Sequence, residues 1–209
     1  TNGLVFDLSP PSSSNFFNTV DGRKPTRLLG VSRALQKYGS GHAVAQAADN
    51  GIDFGSYPIL TTWPYSILVV TDSKNEAARK WLFSTRNQNS PLEMVTFGVN
   101  AVASGGASSD SAGTLYLYTV GSAGVQTSPT TGSAANAVQD GVHHYGVTCD
   151  AAGNVSYVVD GKLHSTNTQA SNASTFNAAQ QTRVAGFSSN SNTAENSRSQ
   201  IITRVWNGR

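Results

Sequence analysis

Carboxylates, histidines and aromatic rings carry the widest chemical range in this chain, and their spacing limits what each can do. The sequence holds twelve acids among 209 residues. No two stand two positions apart, the spacing that would project both from one face of a strand. The nearest pairs, Asp49 with Asp53 and Asp72 with Glu76, are four residues apart. On a strand that is about 13 Å, beyond the roughly 5–9.5 Å that separates the carboxyls of a glycoside-hydrolysing pair. Acid/base partners would therefore have to meet across strands. Nucleophilic chemistry has less support, since no Gly-x-Ser-x-Gly elbow occurs and the four histidines form no ordered partner set. His143 and His144 are adjacent, so a strand sends them to opposite faces and they cannot share a metal. His143 is expected to pack beneath a hairpin while His144 faces solvent; His42 and His164 are isolated. Sugar recognition needs an exposed aromatic platform beside polar side chains. Trp63, Tyr65 and Trp81, with the polar stretches Asn87 to Asn89 and Ser188 to Asn196, are the ligand-binding candidates, and core packing is the simpler role for each ring. The single Cys149 has no partner for an intramolecular disulfide and reads as a small buried hydrophobe.

Composition bounds the scaffold that must position these groups. Apolar residues make up 38% and charged residues 12%, against roughly 45–50% and 25% in ordinary soluble domains. The surface must be covered by Ser, Thr, Asn, Gln, Ala and Gly, which favours short strands and many turns. One domain spanning residues 1–209 is expected, because all-β sandwiches commonly reach this length as a single unit. The net charge is +2 and the basic residues are scattered, so a nucleic-acid partner is not expected. No window is apolar enough to cross a membrane as a helix. The first residues lack a charged-then-apolar leader pattern, so the chain is expected to be soluble. One charge bias stands out: Arg23, Lys24, Arg27, Arg33 and Lys37 accompany a single acid between Asp21 and Lys37. A solvated loop is one reading of this segment. The other is a docking arm, with residues 9–37 an irregular segment that meets a larger assembly.

Along the chain, period-two alternation predicts strands at Thr1 to Leu8, around Ile52 and Phe54, and at Tyr65 to Val70, Lys80 to Ser84, Met94 to Val99 and Thr114 to Val120. Ser73 to Ala78 has the spacing of a capping box and predicts at most one helical turn. Val142 to Cys149, Val155 to Asp160 and Lys162 to Thr166 form a three-strand meander, its second connection an Asp160-Gly161 hairpin turn. Gln200 to Trp206 is the last strand, with Ile201, Thr203 and Val205 on one face and Ile202, Arg204 and Trp206 on the other. Gly/Ser/Ala-rich tracts at Ala103 to Gly113 and Gly121 to Ala135 predict loops. About ten or more strands without a full-length helix predict an all-β, antiparallel two-sheet β-sandwich with jelly-roll connections.

The run Asp140-Gly141-Val142-His143-His144-Tyr145-Gly146-Val147-Thr148, followed by Gly153-Asn154-Val155-Ser156-Tyr157-Val158-Val159-Asp160-Gly161, resembles the signature meander of laminin-G-like, concanavalin A-like domains. Asp140, Gly141, His143, Asp160 and Gly161 carry that signature. Gly51-Ile52-Asp53-Phe54-Gly55, Tyr65 to Thr71, Arg183 to Phe187 and Ile201 to Arg209 resemble further strands of the family, as does Gly3-Leu4-Val5 at the start. Val142 departs from it, standing where the family usually has Trp. The resemblance implies the concanavalin A-like jelly roll. It also raises calcium, which many such domains hold through carboxylates and loop carbonyls; Asp110, Asp140 and Asp150 are the weak candidates, though turn formation accounts for Asp150. No cofactor is otherwise expected. The alternating Glu-x-Asp strand of the family's glycosidases is absent.

Fold and composition together lead to the expectation of a non-enzymatic structural or interaction module on a virion surface, a bacteriophage capsid decoration or fibre protein. Its partners would be a protein shell and further copies of itself. The alternative is an extracellular or cell-surface carbohydrate-binding module or receptor-binding domain taking glycans, and a glycoside hydrolase is the third class. The fold alone does not choose among them.

Overall fold

The computed structural model describes residues 3–8, 17–29, 31–36, 39–44, 51–61, 63–73, 79–87, 94–100, 114–120, 126–127, 141–168, 180–184 and 200–208. These form fifteen strands in two antiparallel sheets. The first sheet runs β13 (Lys162–Thr168), β12 (Asn154–Val159), β11 (Gly141–Cys149), β6 (Tyr65–Ser73), β15 (Gln200–Asn207), β4 (Gly39–Val44), β3 (Val31–Gln36), and β1 (Leu4–Leu8) also pairs with β15. The second runs β10 (Gln126–Thr127), β9 (Thr114–Val120), β8 (Met94–Asn100), β7 (Arg79–Asn87), β14 (Gln180–Val184), β5 (Gly51–Ser56), β2 (Arg27–Leu29). The molecule is thus an all-β, jelly-roll-like sandwich.

Alternation decides which side chains meet between the sheets. Tyr65, Ile67 and Val69 of β6, and Tyr145, Val147 and Cys149 of β11, point inward and are buried, whereas Ser66, Leu68, His144 and Thr148 point outward. The second sheet answers with Ile52, Phe54, Phe83, Val95, Phe97, Leu115, Leu117 and Val184. Phe6 of β1 reaches across, its ring 5.1 Å from that of Phe54 in an edge-to-face contact and 6.4 Å from that of Phe83. The β12–β13 turn has Asp160 at φ 49° and Gly161 at φ 78°, the positive pair that a two-residue hairpin demands. Val142, where the laminin-G-like pattern usually has Trp, is half-buried.

Three segments differ from expectation, the shortest being Gln126–Thr127, which form strand β10 within the tract 121–135 expected to be a loop. Residues 27–29 and 31–36, read as part of an irregular stretch, are strands β2 and β3 at the edges of the two sheets, and residues 39–44 add β4. Short length, interspersed charge and neighbouring glycines hid their alternation. The turn of helix expected over Ser73 to Ala78 falls, beyond Ser73, outside the described residues, as does the tract 103–113.

Gly146 of β11 is buried, and its backbone lies outside the positive-φ region that would demand glycine. An added Cβ would meet Val158 Cβ at 3.6 Å and Leu68 Cδ1 at 3.8 Å, ordinary contact distances. Gly146→Ala should therefore stabilise the protein by about 0.4–1 kcal/mol, because the unfolded chain loses freedom that the native strand does not use. A rise in the urea midpoint at unchanged slope is the expected reading.

Candidate functional site

Among the aromatic candidates, Tyr65 is wholly buried and offers no platform. Its place on β6 in phase with Ile67 and Val69 sends it into the core, where burial, then the neighbouring Cys149 and Tyr157, push its hydroxyl well above the ordinary value. The same burial pushes the Cys149 thiol up to about 12. Trp63 is half-buried against the core, its ring 4.9 Å from that of Tyr65. Trp81 pairs through its backbone with Gly98 on β8; its side chain lies outside the described residues, as do residues 88–89 and 188–196.

The calcium candidates separate in the same way. Asp110 and Asp140 are outside the described residues. Asp150 closes the β11–β12 turn: its carboxylate accepts the Ala152 and Asn154 amides at 2.9 and 2.8 Å and the Asn154 side chain at 2.7 Å. Those bonds hold its pKa below the ordinary carboxylate value. Among the described residues no three His, Cys, Asp or Glu side chains come together as a metal cluster. In the signature meander, Gly141 opens β11 at φ 112°. Asp160 lies 2.8 Å from His143 Nδ1 and accepts the His144 amide at 2.9 Å. These contacts brace the hairpin, and His144 faces solvent.

Two of the five basic residues between positions 21 and 37, Arg23 and Arg27, have side-chain partners within the sandwich. Arg23 stacks 4.7 Å over the Tyr57 ring and donates to the Ser56 carbonyl at 3.0 Å. Lys24 is exposed. Arg33 lies in β3, its backbone opposite His42, and Lys37 is outside the described residues. Arg27 belongs to an ion triad that the sequence reading missed. Register places Arg27 of β2 and Arg183 of β14 on either side of Asp53 on β5. Their guanidinium nitrogens lie 2.6 and 3.1 Å from Asp53 Oδ2, while Oδ1 accepts the Gly55 amide at 2.7 Å. Burial alone would raise the Asp53 carboxyl; the Gly55 amide and the two arginines outweigh it and hold the pKa below its ordinary value. Asp53 and Arg183 are 2% and 4% exposed, so these charges face one another within the protein.

A more accessible constellation lies on the outward face of the first sheet. Register lines up Ser156 of β12, Thr148 of β11, Ser66 of β6, Trp206 of β15 and Leu4 of β1 in one row across five strands, about 19 Å long at the usual strand spacing. Thr148 is exposed and the other four are half-buried. The adjacent row holds Leu163, Val158, Gly146, Leu68, Arg204 and Asp7. An indole on an open sheet face, flanked by three hydroxyls, presents one apolar plane and several hydrogen-bonding groups in line. Alternation had grouped Trp206 with Ile202 and Arg204 on one face of the last strand without saying which face was the core; burial of Thr203 and Val205 makes it the outward one, and the hydroxyls joined it only through register.

No protein-family model matches the chain, and no curated protein does. Solved structures do. Domain 4 of AbnA, a GH43 extracellular arabinanase from Geobacillus stearothermophilus in complex with arabinotriose, superposes with a TM-score of 0.66 at 11% identity, covering 98% of this chain and 92% of that one. The Ruminococcus gnavus IT-sialidase CBM40 bound to alpha2,3 sialyllactose gives 0.60 at 13% identity, covering 79% of this chain and 88% of that one. A Trypanosoma rangeli sialidase gives 0.60 at 13% identity, covering 98% of this chain but 30% of that one. The chain shares its fold with these domains, one of them a carbohydrate-binding module.

At these identities the likeness is one of fold. None of the three is a virion protein, and the phage, capsid and homo-oligomer expectations gain no support from them. The described carboxylates have separate engagements: Asp7 with Arg204, Asp21 with Tyr57, Asp53 in the triad, Asp150 in its turn and Asp160 with His143.

Proposed function

We propose that the chain is an extracellular carbohydrate-binding module and that its sugar lies on the outward face of the first sheet, against Trp206. The observation that carries this reading is the row Ser156, Thr148, Ser66 and Trp206 on an accessible face. A sugar ring has C–H groups across one face and hydroxyls around its rim. The first suits an indole plane, the second a line of serine and threonine hydroxyls, and this amphipathic match lets a few fixed polar groups orient a ligand. The fold shared with domains crystallised with arabinotriose and sialyllactose supports the same reading.

Glycan-array screening of the purified chain, followed by calorimetry on the best ligand, tests it. Trp206→Ala should weaken binding by about 2 kcal/mol, the scale of an interface hot spot and roughly 30-fold in Kd. Thermal unfolding shows whether the variant stays folded. Unchanged affinity in a folded Trp206→Ala protein would place the ligand elsewhere, and an array without specific binding would end the proposal. Release of soluble sugar from a bound glycan would move the reading to a hydrolase.

A further inference from the structure

The geometry points to a carboxylate-bearing sugar, a uronic or sialic acid unit, as the ligand of this face, with Arg204 as the residue that selects it. This rests on the carbohydrate-binding reading above and adds the class of sugar. Arg204 and Trp206 are two residues apart on β15 and project from the same side of it, about 7 Å apart along the strand. A ligand stacked on the indole is thus within reach of the guanidinium.

The state of that guanidinium makes the case. Arg204 Nε lies 3.3 Å from Asp7 Oδ1, and the two side chains are 39% and 13% exposed. The carboxylate is therefore the covered partner and the cation the one presented to solvent. A guanidinium has five N–H donors in a rigid planar fork. Asp7 meets the group on its Nε side, at ion-pair distance but without a hydrogen bond, which leaves the terminal nitrogens for a second acceptor. Two parallel N–H donors match the two oxygens of a carboxylate, a bidentate contact that a neutral hydroxyl cannot reproduce. Across the strands, Arg204 stands opposite Leu68, which leads on to Gly146, Val158 and Leu163. Apolar neighbours on one side lower the local polarisability and strengthen a charged contact there relative to open water. Asp7 anchors the arginine, and the hydroxyl row beside it keeps the rest of the sugar oriented.

Calorimetry with matched pairs tests this: lactose against sialyllactose, and neutral against uronic-acid oligomers of one backbone. The wild-type protein should bind the acidic member at least 10-fold more tightly, with that advantage shrinking as salt rises. Arg204→Gln should level the pair by weakening the acidic member alone. Arg204→Lys, which keeps the charge and loses the fork, should retain only part of the preference, and it serves as the test if the glutamine variant fails to fold. Trp206→Ala should weaken both members together. Equal wild-type affinity for the two members, or a preference that survives in folded Arg204→Gln, would overturn the inference and leave the carbohydrate-binding reading standing. Binding of neither these pairs nor any array glycan would overturn both.

Discussion

Alanine at position 53 should cost about 3–5 kcal/mol of folding stability, the range found when one partner of a buried ion pair is removed and the other charge is left behind. The side chain lost is small, and the cost comes from what remains. Arg183 is 4% exposed and takes its charged contact from Asp53 Oδ2 at 3.1 Å. Without the carboxylate its guanidinium stays in a covered site and loses that charged contact. Arg27 is 58% exposed and can turn to water, so Arg27→Ala should cost far less, within the 0–1 kcal/mol of an exposed pair. Asp53 also holds a bend in the chain. Its Oδ1 accepts the Gly55 amide, where Gly55 sits at φ 67°, and its carbonyl accepts both the amide and the hydroxyl of Thr26, at 2.7 and 3.0 Å. Urea titrations of the three proteins at neutral pH read the differences directly.

The triad also sets a direction in pH. The Asp53 pKa is held below its ordinary value by the Gly55 amide and the two arginines, against the opposing effect of burial. A carboxyl depressed in the folded state contributes stability that is fully present above the unfolded pKa of about 3.9. That contribution disappears as pH falls through the folded pKa. The gap between wild type and Asp53→Ala should therefore be constant from pH 5 to 7 and narrow below about pH 4.

The strands that were legible in the sequence are those whose two faces differ in polarity. Tyr65 to Val70 and the first two strands of the meander, Val142 to Val159, alternate because one face meets the core and the other meets water, whereas residues 162–166 of its third strand meet water on both faces. The Asp160-Gly161 turn was legible because few residues tolerate its backbone. β2 to β4 were not, for a physical reason that Arg27 illustrates. A strand whose outward positions carry charge reads as a loop until its partner is known, and Asp53 is 26 residues away in sequence. Arg183, 130 residues from Asp53, has the same history. Tyr65 takes the simpler of the two roles open to it, core packing, and its parity with Ile67 and Val69 was the signal for it. Trp206 had the outward parity but gained its meaning only from Ser66 and Thr148, which register across β6 and β11 brings to its side. Alternation says which way a side chain points; neighbours across strands are decided by pairing, which a single sequence does not display.

Phe6→Ala should destabilise by about 3–5 kcal/mol, the usual cost of emptying a fully buried aromatic site. Phe6 belongs to the first sheet through β1, yet its ring contacts lie in the second: Phe54 of β5 at 5.1 Å and Phe83 of β7 at 6.4 Å, with Tyr57 beyond β5 at 6.5 Å. Collapse into the vacated space is opposed because Phe54 and Phe83 are held by their own strands, so most of the cavity should persist. Phe6→Leu fills much of it and should cost less, because filling the cavity limits the lost contacts. The consequence reaches the proposed binding face. β1 pairs with β15 so that Leu4 stands beside Trp206 and Asp7 beside Arg204, and Phe6 is the inward anchor of that same short strand. If β1 detached before the rest of the sandwich melted, glycan affinity in Phe6→Ala would fall at temperatures where the core still gave a native signal. Phe6 is buried at the junction of both sheets, so the two losses should instead coincide, and parallel melts followed by ligand binding and by near-ultraviolet circular dichroism would show one transition shifted to lower temperature.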